Sequence, residues 1–182
     1  MIDDQGWMDG ALRVVSPNSD RRPSDAAVEL VVIHAISLPP EIFGGHFVTG
    51  LFTNSLDPVE HDYFSGIAAL RVSSHLFIRR DGGVVQFVSF DRRAWHAGVS
   101  SWRGRERCND FAIGIELEGS DTQPFTEDQY ASLLASLREI RERYPVIDVV
   151  GHSDIAPGRK TDPGPCFDWM RLSWFFSVTQ HD

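Results

Sequence analysis

The chain has 182 residues, 42% of them hydrophobic, and a formal net charge of −9. At that size about 68–75% of the unfolded surface can be buried, so one domain over residues 1–182 is predicted without disulfide staples. The acidic balance argues against nonspecific nucleic-acid binding, and no apolar run approaches the ~18 residues of a membrane span.

Residues 1–27 read as an irregular arm. MIDDQGWMDGALRVV is acidic and lacks the apolar core of a secretory signal, and SPNSDRRPSD is turn-rich. Only two cysteines occur, Cys108 and Cys166, which fits a reducing cytoplasm; packing is the default role for both. Nothing in the pattern calls for a dimer, so a monomer is expected.

VELVVIHAI reads as a buried strand ending in His34. PPEIFGGHFVTGLFTN opens on prolines and carries a short helix signal. SSHLFIRR and VVQFVSF flank Asp81-Gly82-Gly83, a hairpin signal. CNDFAIGIELEG alternates as a strand, with Glu116 and Glu118 on one face and Ile115 and Leu117 on the other. Thr126 and Gln129 form a capping box ahead of Tyr130, Leu133, Leu134, Leu137 and Ile140 at helical spacing. Pro145 stops that helix, VIDVV is the next strand, and FDWMRLSWFF reads as a terminal helix with an aromatic face. The order predicts a mixed α/β (α+β) fold, a central mixed sheet flanked by helices.

Charge is uneven. Residues 71–107 hold eight arginines and three acids, so the segment is +5 and the remainder −14. Such a segment forms either a solvated basic face or a cleft for a ligand bearing carboxylates, which guanidinium forks match.

The chemistry concentrates in GHSDIAPGRKTDP, residues 151–163, where Lys160 is the only lysine among 17 basic residues. His34 and His152 each follow an apolar strand. Adjacent strands would bring both imidazoles to one sheet edge, with Asp162 close behind. Two histidines and one carboxylate leave the fourth tetrahedral position of zinc open, the pattern of a catalytic site. Flanking prolines favour Asp162 as the third ligand, while spacing leaves Cys166 open as an alternative. Asp154 suits an Asx-type turn or a role behind the ligands. A hydrolytic zinc centre needs a base and a cation. Glu116 is the candidate base, with Glu118 its competitor, and Lys160 is the candidate oxyanion partner.

VVIHAISLPP, RRAWHAG, GRERCNDFAIGIELEG and GHSDIAPGRKTDPGPCFDW closely resemble the AmpD-type 1,6-anhydro-N-acetylmuramyl-L-alanine amidases, relatives of the peptidoglycan recognition proteins. The resemblance runs from about residue 20 to 176. It implies a cytoplasmic zinc amidase that cleaves the amide between anhydro-muramic acid and L-alanine in cell-wall recycling. Loss of that activity in the family affects β-lactamase induction. It also implies Zn2+ on His34, His152 and Asp162, catalytic roles for Glu116, Lys160 and Tyr63, and an anhydro-muropeptide substrate. Arg71 and Arg107 match positions facing the stem peptide, with His75, Trp95 and His96 near them; Trp95 fits either a ligand contact or a core position. Specificity for the anhydro-sugar is expected from the loop around residues 35–60. One departure is Ala35, where the family is expected to carry asparagine; this bears on substrate preference or rate and leaves the ligand set intact. Three other readings stand beside this one: a non-catalytic muropeptide-binding module, a general N-acetylmuramoyl-L-alanine amidase of intact wall, and a zinc that merely holds loops.

Overall fold

In the computed structural model, residues 1–173 and Phe175 are described. In chain order they form β1 (Leu12–Arg13), β2 (Ser19–Arg21), β3 (Leu30–Ile36), α1 (Phe47–Phe52), β4 (Leu76–Ile78), β5 (Val84–Gln86) and β6 (Arg92–Ala94). There follow β7 (Ser101–Trp102), β8 (Arg105–Glu106), β9 (Ala112–Glu118), α2 (Glu127–Arg143), β10 (Asp148–Gly151) and α3 (His152–Ile155). Six strands make one sheet in the order β1-β5-β4-β9-β3-β10. The β4–β5 hairpin is antiparallel and the other pairings are parallel, giving the expected mixed sheet. None of the described helices is long and apolar enough to cross a membrane.

The middle of the sheet is buried on both faces, as the near-continuous apolar runs of β3 and β9 require of parallel strands. One face, with Val31, Ile33, Ile113, Ile115 and Leu117, packs against Tyr130, Leu133, Leu137 and Ile140 of α2. Each fully buried aliphatic chain there contributes about 1.5–3 kcal/mol. The opposite face begins with Leu30, Val32 and Ala112, packed under Cys108, Phe111 and Val150. Further along the same strands, toward their carboxyl ends, that face turns polar with His34, Glu116 and Glu118.

The capping box at Thr126 forms as predicted, and its glutamine does more than cap. Gln129 is fully buried; its Nε2 donates to the Ile78 carbonyl (3.2 Å) and the Glu118 carbonyl (2.9 Å), while its Oε1 accepts from Thr126 N–H (3.1 Å). Gln129→Ala should therefore cost about 2–4 kcal/mol in urea unfolding, because it strips the cap and leaves buried carbonyls unpaired. A loss below 0.5 kcal/mol, on the order of a surface substitution, would show that this pin carries little.

Residues 1–27 depart from the irregular arm expected. β1 pairs with β5 at the edge of the main sheet, and β2 pairs with β6. Strands of two and three residues carry too few side chains for a readable period. Arg22 then anchors the arm: its guanidinium donates to the carbonyls of Phe90, Asn109, Asp110 and Ala112, so carbonyl dipoles surround a largely buried cation. Burial pulls Arg22 down to about 10, which leaves it charged at neutral pH. The expected terminal helix begins as a 3-10 turn over Trp169–Leu172 and is α-helical at Ser173 and Phe175; Trp174 and Phe176 of that stretch lie outside the described residues.

Candidate metal centre and active-site cleft

Strand register builds the site. His34 stands directly opposite Glu116 on β9, and Gly151 of β10 stands opposite Ile33. His152, the next residue, therefore emerges beside His34. Gly151 has an ordinary negative φ, so it is needed for space: a Cβ there would lie 2.9 Å from Pro163 Cδ. Its absence lets the returning loop close on the strand end, with Ser153 N–H donating to the Asp162 carbonyl (2.9 Å). Asp154 serves the turn, accepting from Gly151 N–H at 2.7 Å.

Three donor atoms converge as a result. His34 Nδ1 and His152 Nδ1 are 3.0 Å apart, and each lies 3.1 Å from Asp162 Oδ2. Among the described residues this is the one cluster of metal-ligating type, and Cys166 is not in it. Tetrahedral ligands at ~2.0 Å from zinc would be separated by ~3.3 Å, so the near-equilateral triangle fits a shared ion. The protonation states fit as well. Burial pushes His34 down to about 4, leaving a neutral imidazole with a lone pair to give. Burial works to raise Asp162, but the facing His152 and His34 side chains outweigh it and hold the carboxyl below its ordinary range.

Glu116 and Lys160 share a cleft of about 560 Å³ with this triad, as do Tyr63 and Trp95. Glu116 is buried, and its Oε2 has no hydrogen-bond partner among the described residues. Burial pushes its carboxyl well above the usual value; the Asp162 carboxylate adds to this and Lys160 opposes it. Glu118, the competitor, is already committed, accepting from the N–H groups of Gly44 and Arg80. Tyr63 is 45% exposed at the cleft wall.

The raised Glu116 pKa has a consequence for stability. Below about pH 4.3 folded and unfolded chains both hold the proton. Above it the unfolded chain ionises freely while the buried carboxyl resists, so stability falls as pH rises toward the folded pKa. Metal-free Glu116→Gln should thus be more stable than the parent by on the order of 1–2 kcal/mol at pH 8, with a smaller gap at pH 5. Thermal melts at both pH values test this; a gap that shrinks with rising pH would contradict it.

Other expected ligand contacts sit differently. His75 is fully buried, accepting from Gly114 N–H through Nδ1 (3.0 Å) and meeting the Arg92 carbonyl through Nε2 (3.0 Å). Both nitrogens are thus used inside the protein, and His75 is a core residue rather than a substrate contact. Arg71 and Arg107 are exposed and lie outside the cleft lining, Arg71 next to Leu70 of its wall and Arg107 in a hollow that shares Trp95. Much of the basic segment is spent on distant acids: Arg93 pairs with Asp20 and Asp110, Arg103 with Asp148, and Arg105 with Glu29.

Sequence reasoning missed two contributors. Arg159 Nη2 donates to the carbonyls of Ala97 (2.8 Å) and Val99 (2.6 Å), tying the ligand loop to the 97–99 loop. The apolar wall formed by Leu38, Leu51 and Phe52 extends past residue 60 to Ile67, Leu70 and Val72. Aperiodic segments of this kind give no spacing signal.

This mixed sheet, with its donor triad and buried acid at the strand ends, belongs to an amidase: the profile of the N-acetylmuramoyl-L-alanine amidase family matches residues 24–165, and the chain is a member of that family. Within it, the chain is 56% identical to the 1,6-anhydro-N-acetylmuramyl-L-alanine amidase AmpD of Citrobacter freundii, over 100% of this chain and 98% of that one. A crystal structure of a selenomethionine AmpD derivative superposes with a TM-score of 0.93 at 57% identity, covering 96% of this chain and 98% of that chain. The Escherichia coli amidase AmiD, solved with anhydro-N-acetylmuramic acid-L-Ala-D-gamma-Glu-L-Lys, superposes with a TM-score of 0.61 at 31% identity, covering 85% of this chain and 60% of that one.

Proposed function

We propose that the protein hydrolyses the amide joining 1,6-anhydro-N-acetylmuramic acid to the L-alanine of a stem peptide, in cytoplasmic cell-wall recycling. The observation that carries this is the convergence of three donor atoms, 3.0–3.1 Å apart, in one cleft with an unpartnered buried carboxylate and the chain's only lysine. High identity to AmpD along the whole chain supports the substrate class.

His34, His152 and Asp162 would hold zinc. Bound there, the ion supplies Lewis acidity, acidifying a water molecule and polarising the amide carbonyl. Glu116 takes the proton from the attacking water and passes it to the departing alanine nitrogen. Its raised basicity suits this work: a carboxylate of ordinary pKa would be a weaker base near neutrality. The Lys160 ammonium stabilises the negative charge developing on the carbonyl oxygen, and the Tyr63 hydroxyl can donate to the same region. Leu38, Leu51, Phe52 and Trp95 form an apolar floor for the sugar ring. Arg71 and Arg107, exposed beyond it, would meet stem-peptide carboxylates.

The test is a mass-spectrometric digest of anhydro-muramyl peptide by protein of measured zinc content, with and without chelator. Release of free peptide and anhydro-sugar, lost on chelation and restored by zinc, is expected. Intact substrate with a fully loaded site would instead favour a binding module.

A further inference from the structure

We propose that His96 is the positioning residue of the metal centre, fixing His34 in the tautomer that offers Nδ1 to the ion. The inference rests on the triad being a metal site, as argued above.

A histidine that binds through Nδ1 must carry its proton on Nε2, and something must accept that proton. His152 uses the Ala97 carbonyl, 3.2 Å from its Nε2. A backbone carbonyl accepts whatever the tautomer, so that ligand needs no further help. His34 has no such carbonyl among the described residues; it lies within β3 opposite Glu116 of β9, one residue past the end of the β10 pairing. Its Nε2 meets a side chain instead: His96 Nδ1 at 2.9 Å, the two rings edge-on at 86°. For the pair to work, His96 must be neutral and accept through Nδ1, with its own proton on Nε2. That Nε2 is buried without a hydrogen-bond partner among the described residues. An unpaired buried donor costs about 1–3 kcal/mol, so the arrangement is a poor choice for stability alone.

The surroundings hold His96 in this pose. Its backbone N–H, and that of Ala97, donate to Asn109 Oδ1 at 3.1 and 2.8 Å. Its ring lies on Gly114, where a Cβ would come within 2.5 Å of His96 Cγ. The glycine in IGIELEG is therefore a seat for the ring. Behind it His75 stands edge-on, ring centroids 5.8 Å away, itself held by Gly114 N–H and the Arg92 carbonyl.

The experiment is a zinc titration against a competing chelator with the parent protein, His96→Leu, His96→Asn and Gly114→Ala. His96→Leu should weaken zinc binding 10–100-fold, as expected when a group supporting a metal ligand is removed. His96→Asn, whose Oδ1 can take the place of Nδ1, should recover to within a few-fold of the parent. Gly114→Ala should resemble His96→Leu, since it displaces the ring. Parent-like affinity in His96→Leu, or equal loss in His96→Asn, overturns the role of His96 while the metal site stands. Failure of the parent itself to bind zinc overturns both. Should His96→Leu not fold, long-range proton–nitrogen NMR of the histidine-labelled, zinc-loaded parent decides. An unprotonated His96 Nδ1 beside a protonated His34 Nε2 is expected, and a proton on His96 Nδ1 overturns the idea.

Discussion

Asp162→Ala is expected to lower zinc affinity by about 10²–10⁴ and to abolish amide hydrolysis under ordinary metal concentrations. Structural zinc sites bind with ~10–16 kcal/mol spread over their ligands, so one charged ligand accounts for several kcal/mol. Asp162 is also the only carboxylate donor of the three, facing two imidazole nitrogens at 3.1 Å. With it gone, two buried nitrogens 3.0 Å apart share no counter-charge and cannot neutralise a divalent ion. Metal analysis after dialysis against buffered zinc tests this. Stoichiometric zinc in the variant would remove Asp162 from the ligand set. Cys166, which spacing left open, would then be the residue to change next.

The second large effect is expected at Lys160. Lys160→Ala should retain zinc yet lose about 10²–10³ in kcat/KM, the range for removing one donor from a developing oxyanion. The loop should survive the change, because its closure runs through backbone: Lys160 N–H donates to the Ala156 carbonyl at 3.1 Å. Arg159, not Lys160, ties the loop to its neighbour. Lys160→Arg should rescue only partly, since a planar fork cannot occupy the position of a compact ammonium. Near-parent activity with full zinc would end the assignment of Lys160 to the carbonyl oxygen.

Much of this site is legible in sequence because parallel strands impose simple rules. Apolar runs ending at histidines predict two neighbouring strands, and the strands obey. Alternation in AIGIELE predicts Glu116 on the polar face, and the His34–Glu116 register gives that face its chemistry. One boundary differs: β3 continues past His34 to Ile36, because β9 runs beside it as far as Glu118. His34 is consequently clamped inside a sheet, whereas His152 stands just beyond a strand end.

Long-range polar contacts are harder to read. His75 looks like a ligand contact beside its basic segment, yet its Nδ1 is taken by the N–H of Gly114, 39 residues later, at 3.0 Å. Arginines 93, 103 and 105 look like a carboxylate-binding patch, but their acids come from other parts of the chain. No local pattern distinguishes an arginine that waits for a ligand from one already paired. His96 is hidden for the same reason: its partner is 62 residues away.

The register that creates the triad also sets when it can exist during biosynthesis. His34 and Asp162 are separated by 128 residues, and β3 lies between β9 and β10, both far downstream. A nascent chain carries its first ligand long before the last two leave the ribosome. Pairings at such separations close large loops and form slowly. The ion therefore cannot nucleate this fold in the way that zinc organises a short finger. On the proposed zinc assignment, loading is expected to follow assembly of the sheet, so the supply of zinc should govern how much enzyme is active rather than how much is folded.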